Sequence, residues 1–171
     1  LKYYAGKYKR VCIIHDGIIF HQSIDLTQFR NAKSFWHFNF HCYDNKPLGL
    51  QILNQLTNGS TVGDLYYSNK WFGSMGCISV VEDSFLQKLQ EKYNLLNLSS
   101  FMDTNIKAME FERILGVLFH AEYPDIKYDP SFFGEVTQGL EWGLTFDKYL
   151  REIDTYKKRP LVKIFGSRLS K

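Results

Sequence analysis

What this chain lacks narrows it first. No apolar run approaches the roughly 20 residues that span a bilayer, and Leu1-Lys2-Tyr3-Tyr4 carries no signal-peptide pattern, so a cytoplasmic protein without a transmembrane segment is expected. Cysteine is scarce and odd in number. Cys12, Cys42 and Cys77 sit among apolar or aromatic neighbours outside any CxxC or CxH pairing, and read as small core residues of a reducing compartment. HExxH, CxxC, GxSxG and P-loop spacings are absent, so zinc-hydrolase, redox and nucleotide-hydrolase chemistry lack their usual parts. Charge of one sign is not concentrated either. The net charge is +3, and Lys and Arg are dispersed except at Lys157-Lys158-Arg159 and near the start, which argues against nucleic acid and leaves room for a phosphorylated small molecule. The sequons at Asn58 and Asn97 would matter only in a secreted protein and are taken as chance. With no repeat, low-complexity tract or linker, 171 residues at 44% hydrophobic and 16% aromatic predict one α/β domain, 1–171, with a sizeable core.

What is present is a series of short periodic runs. The apolar stretch Val11-Cys12-Ile13-Ile14 predicts a strand buried on both faces, hence a sheet flanked by helices. Phe35 to Tyr43 alternates, with Trp36, Phe38, Phe40 and Cys42 on one face and His37, Asn39 and His41 on the other, which predicts a second strand. Asp44-Asn45-Lys46-Pro47 supplies a cap and an early proline for a helix through Ile52, Leu53 and Leu56, ending near Asn58-Gly59. Leu65-Tyr66-Tyr67 predicts a short strand, and Phe72 to Val81 a further one around two glycines. Asp83 or Ser84 opens an amphipathic helix with Phe85, Leu86, Leu89 and Tyr93 on one stripe, and Asp103-Thr104 opens a more buried helix to about His120. Pro124 and Pro130 bracket an irregular segment. Leu144 to Ile153 predicts a last helix and Pro160 to Phe165 a last strand or tail.

Three places carry possible chemistry. His15-Asp16-Gly17 follows the first apolar run, and ligands of open α/β sheets collect beyond the carboxyl ends of strands. A carboxylate there can hold a divalent cation and through it a phosphate, but the same tripeptide is an ordinary turn in which Gly17 takes a positive φ. In Trp71-Phe72-Gly73-Ser74-Met75-Gly76 the glycines mark a bulge or a close approach, and Trp71 is either a face for stacking on a sugar or simply core. Glu112 stands among Ala108, Leu115, Gly116 and Phe119 at helical spacing, so its carboxylate faces packed surface. Gly116 is expected to leave a gap above it, because the residue one turn later normally covers such a position. Glu112 is therefore a general base with a raised pKa or one half of a buried ion pair. His37 and His41, about 13 Å apart on a strand, cannot share one zinc ion.

The order of these pieces resembles the C-terminal half of GT-A-type glycosyltransferase-like proteins of bacteria and large viruses. The matching segments are His15-Asp16-Gly17 with Phe20, Phe35-Trp36-His37-Phe38, Lys70 to Val80, Phe85-Leu86 with Lys92-Tyr93, Glu112-Arg113-Ile114-Leu115-Gly116, Ser131-Phe132-Phe133-Gly134-Glu135 and Val162 to Arg168. The resemblance implies a mixed sheet flanked by helices, GT-A-like and Rossmann-like. It implies transfer of a sugar from a nucleotide-sugar donor to a glycan or other hydroxyl acceptor. His15, Asp16 and Gly17 would bind the donor diphosphate, with Asp16 holding Mn²⁺ or Mg²⁺. Trp71, Gly73, Ser74 and Gly76 would wall the acceptor, and Glu112 would be the catalytic base. Such folds carry an Asp-x-Asp pair where this chain has one carboxylate, and roughly a hundred residues ahead of it, about thirty per βαβ unit, where fourteen precede His15 here. Two readings follow: the nucleotide-binding half lies outside this chain, or the shape persists as a non-catalytic module that binds carbohydrate or protein.

Overall fold

Asn45 shows how local chemistry sets the first helix, since its side chain accepts the amide N–H of Leu48 at 3.2 Å and Pro47 sits in the opening turn, where its missing N–H costs nothing. The structure, a computed structural model, describes residues 7–39 and 45–166. The expected positions of Phe40, His41, Cys42, Tyr43 and Asp44 lie outside the described residues. The strands are β1 (Arg10–Ile13), β2 (Ile18–Phe20), β3 (Ala32–Ser34), β4 (His37–Asn39), β5 (Phe72–Ser74), β6 (Ser79–Glu82) and β7 (Leu161–Lys163). The helices are α1 (Lys46–Gln55), α2 (Gly63–Ser68), α3 (Asp83–Tyr93), α4 (Asn105–Glu122), α5 (Val136–Gly139), α6 (Phe146–Arg151) and α7 (Ile153–Tyr156), joined in places by 3₁₀ turns.

The chain is thus mixed α/β, but its strands gather in small antiparallel sheets, in place of the one mixed sheet expected. A three-stranded sheet runs in the order β1-β6-β3, and β2 pairs with β7 and β4 with β5. Parallel pairing among the described residues is confined to isolated contacts, Ser34 with Ser131 and His37 with Glu135. One face of the three-stranded sheet, including Ala32 and Val81, packs against Ile52, Leu53, Tyr66, Leu89, Ile114 and Leu118 of α1 to α4. Val80, on the opposite face, joins Phe35, Trp36, Ile78, Val136 and Leu161 in a second cluster, and Leu144, Tyr149, Tyr156 and Val162 form a third.

Several expectations are corrected. β1 is an edge strand, not a doubly buried one, so Cys12 points to solvent and Ile14 is half exposed. Leu65-Tyr66-Tyr67 lies in α2, not in a strand; Tyr66 enters the core while Tyr67 stays outside, and tertiary burial has overruled the aromatic preference for strands. The predicted strand from Phe72 to Val81 is two strands of different sheets, split by a 3₁₀ turn at Met75–Cys77. The last predicted helix is likewise two short ones, α6 and α7, and Glu82 stands at the cap position of α3, ahead of the expected Asp83 or Ser84. Thr104 does cap α4, accepting the Lys107 N–H; of the strand expected from Phe35 to Tyr43 the described part is β4 alone, where Phe38 is buried between the half-buried His37 and Asn39, while Phe35 and Trp36 precede it and are both buried.

Candidate functional site

Helix α4 and strand β5 meet backbone to side. A Cβ at Gly116 would stand 2.0 Å from the Phe72 carbonyl oxygen and 2.9 Å from the Gly73 Cα, so the space above Glu112 expected to be open is filled by β5 itself. At the same crossing the Phe72 N–H donates to Nε2 of buried His120 at 3.2 Å. Burial, seconded by Lys127, lowers the His120 pKa to about 4, and the imidazole is neutral at neutral pH.

Beyond Ser74 the chain turns sharply. Gly76 and Cys77 have positive φ values of 60° and 56°, a conformation natural to glycine and costing about 1–3 kcal/mol at a cysteine. That turn directs the Gly76 N–H onto the Glu112 carboxylate. The His15 ring covers the other side of Gly76, where a Cβ would lie 3.0 Å from His15 Cε1. Lys163 of β7 donates to the Asp16 carbonyl oxygen at 2.9 Å and stands within electrostatic reach of both Asp16 and Glu112. Residues distant in sequence, His15, Asp16, Gly76, Glu112 and Lys163, are therefore neighbours.

Burial drives the electrostatics of this cluster. It raises the Glu112 pKa to about 7 against the Gly76 N–H, Arg113 and Lys163, all of which favour the carboxylate. Burial also lowers His15, with Lys163 adding to the effect and Asp16 opposing it, and lowers Lys163 against the pull of Asp16 and Glu112. Glu112 opens into a cleft of about 470 Å³ that is also lined by Phe38, Met75, Met109, Arg113, Val136, Thr137 and Trp142. The Arg113 guanidinium lies 5.0 Å from the centre of the Phe38 ring and donates to the Met109 carbonyl at 2.8 Å, which fixes one wall. Trp142, 57% exposed, lines the same cleft and packs against Phe165 with ring centres 5.4 Å apart.

The other expected site residues divide. Trp71 is core: it is 2% exposed, its indole N–H donates to the Tyr66 carbonyl at 2.9 Å, and its ring stacks on Tyr66, so no face is left for a sugar. Gly73 is small because a Cβ would strike the Phe38 ring at 2.1 Å. Ser74 is completely buried, with no hydrogen-bond partner for its hydroxyl among the described residues. Of the expected acceptor wall only Gly76 touches the cluster. Gly17 adopts φ +76° where the Ile164 N–H meets its carbonyl at 2.7 Å, so the tripeptide is the turn that joins β1 to β2 as well as a neighbour of Glu112.

Asp16 is exposed, and no group of three or more His, Cys, Asp or Glu side chains fit for a metal ion occurs among the described residues. A single carboxylate beside an ammonium is a poor match for a hard divalent cation, which favours several oxygen ligands. His37 shares a hydrogen bond with the Ser131 hydroxyl at 2.7 Å. Trp142 escaped sequence reasoning because it belongs to no periodic run. Glu110, which is more buried than Glu112 and accepts the Tyr66 hydroxyl at 2.7 Å, escaped it because its partner lies 44 residues away. No described helix is long and apolar enough to cross a membrane. Comparison of the chain with protein-family models, with curated proteins and with solved structures returns no match.

Proposed function

We propose that the cleft over Glu112 is the acceptor site of a sugar-transfer enzyme of the GT-A glycosyltransferase type. The observation that carries the reading is an acid with its pKa pushed up to about 7, held by a backbone N–H at the base of an aromatic-walled cleft. A general base works best when its pKa lies near the working pH. Trp142 offers an apolar face to the C–H face of a sugar ring. In the proposed reaction the Glu112 carboxylate takes the proton of an acceptor hydroxyl, and that oxygen forms a bond to the anomeric carbon of a nucleotide-sugar. The bond from that carbon to the diphosphate breaks, and the nucleoside diphosphate leaves with the electron pair. The turn at His15, Asp16 and Gly17, with Lys163 beside it, would face the diphosphate, and Lys163 would supply positive charge there. Asp16 alone is a poor ligand set for Mn²⁺ or Mg²⁺, so Lys163 would carry the charge stabilisation of the leaving diphosphate.

The test is release of nucleoside diphosphate from nucleotide-sugars in the presence of glycan acceptors, with Glu112→Gln compared with the parent. Loss of general-base catalysis predicts a rate about 10²- to 10⁴-fold lower with nucleotide binding retained. An unchanged rate removes Glu112 from the chemistry. The lone carboxylate at Asp16 favours one alternative, a non-catalytic module that binds carbohydrate through Trp142. Calorimetry showing glycan binding that Trp142→Ala abolishes, with no nucleotide binding with or without Mn²⁺, would select that reading.

A further inference from the structure

The lining of the cleft over Glu112 decides what kind of hydroxyl compound it can hold. Phe38, Met75, Met109 and Val136 are apolar, and Trp142 adds an indole ring. The polar neighbours are turned to the protein instead: the Thr137 hydroxyl donates to the Glu135 carboxylate, and the Arg113 guanidinium donates to the Met109 carbonyl, lies over the Phe38 ring and faces Glu110. Glu112 differs from both. It is partly exposed where it lines the cleft, and its carboxylate, which accepts one N–H from Gly76, keeps lone pairs for a further donor.

One strong acceptor set in apolar walls is a poor match for a sugar. A sugar stacked on Trp142 would leave most of its ring hydroxyls against Phe38, Met75, Met109 and Val136, and a hydroxyl that loses water without gaining a partner weakens binding. A compound with one hydroxyl on an apolar body suits every wall, since the hydroxyl donates to Glu112 and the body displaces water from carbon surface. The cleft volume of about 470 Å³ lies within the roughly 300–1,000 Å³ of small-molecule sites and admits an alkylated ring.

We propose that the acceptor taken by this cleft is an apolar alcohol or phenol, its hydroxyl donating to the Glu112 carboxylate and its body lying among Phe38, Met75, Met109 and Trp142. Its role as acceptor rests on the sugar-transfer reading, whereas its binding does not. In the transfer the acceptor oxygen bonds to the anomeric carbon of the nucleotide-sugar, its proton passes to Glu112, and the nucleoside diphosphate departs with the electron pair of the broken bond. Thymol serves as the probe, titrated at pH 8 into full chain carrying ¹³C at the methyl groups of its three methionines. Met75 and Met109 line the cleft, whereas Met102 lines a separate apolar cavity and reports uptake elsewhere. Met109→Leu and Met102→Leu, neither at a fully buried position, assign the signals. Thymol is expected to shift Met75 and Met109 saturably and to leave Met102 in place, thymol methyl ether and methyl β-glucoside to bind at least tenfold more weakly, and Glu112→Gln to weaken thymol about threefold or more, because a carboxylate is the stronger acceptor. Equal binding of the ether or the glucoside, a response at Met102 alone, or an affinity unchanged in Glu112→Gln overturns the proposal. Release of nucleoside diphosphate from nucleotide-sugars, with thymol or methyl β-glucoside as acceptor, separates the two readings. Methionine shifts without release uphold the apolar ligand and overturn sugar transfer, whereas faster release with the glucoside upholds sugar transfer and overturns the apolar acceptor.

Discussion

At Glu112 the raised pKa has a thermodynamic consequence that separates it from an acid placed for stability. Its pKa is about 7 in the folded protein against an ordinary 4.5, so between those values the folded state holds more protons than the unfolded one. The stability it contributes is present below about pH 4.5 and is lost as the pH rises through about 7. Glu112→Gln, which keeps an oxygen to accept the Gly76 N–H, should match the parent at pH 4.5 and exceed it by about 1–3 kcal/mol at pH 8 in urea unfolding. A variant less stable than the parent at pH 8 would show the carboxylate to be structural. The anomaly at this residue was legible in the sequence, because its helical neighbours are apolar or small. Its stabilising N–H was not, since Gly76 reaches it only through the left-handed turn at Gly76 and Cys77.

Among the elements, α4 carries the most structure, and Gly116 is its point of contact. Alanine is the better helix former by about 1 kcal/mol, yet its Cβ would stand 2.0 Å from a backbone oxygen of β5 that has no flexible end to yield. Gly116→Ala should therefore destabilise by about 3 kcal/mol, at the upper end of overpacking costs, read as a lowered midpoint of thermal unfolding. A neutral or raised midpoint would mean that β5 shifts easily. The helices were the legible elements: Asn45 and Thr104 announce α1 and α4 because a cap is a local bond between neighbours in sequence. The strands were not, because the described ones run only three or four residues and their pairing is decided by segments far along the chain. Trp71 illustrates the same limit, since its neighbours on the chain do not distinguish an indole that faces a ligand from one stacked on Tyr66.

For the whole molecule, opposing titrations shape the response to acid. His120, lowered from 6.5 to about 4, contributes stability that is present above pH 6.5 and lost as the pH falls through about 4. Glu112 contributes in the opposite sense across the overlapping window. Glu122, despite its burial cost, is held at about 2 by hydrogen bonds from Lys92, Tyr93 and Lys88, so its stabilisation is lost between about pH 4.5 and 2. His15 and His37, also lowered by burial, act in the same sense as His120, so stability is expected to fall as the pH drops below 6.5 and to fall more steeply in Glu112→Gln, which lacks the opposing proton uptake. Parallel curves for the two proteins would refute the opposing contribution of Glu112. The sequence by itself determined the mixed α/β composition, the two principal helices with their caps and the unusual acid on α4, because these depend on residues within a few positions of one another. Only the tertiary structure decided that the sheets are small and antiparallel, that Trp71 is core while Trp142 faces the cleft, and that His15, Gly76 and Lys163 converge on Glu112. Those outcomes follow from contacts between distant segments, whose burial and backbone crossings no local pattern encodes.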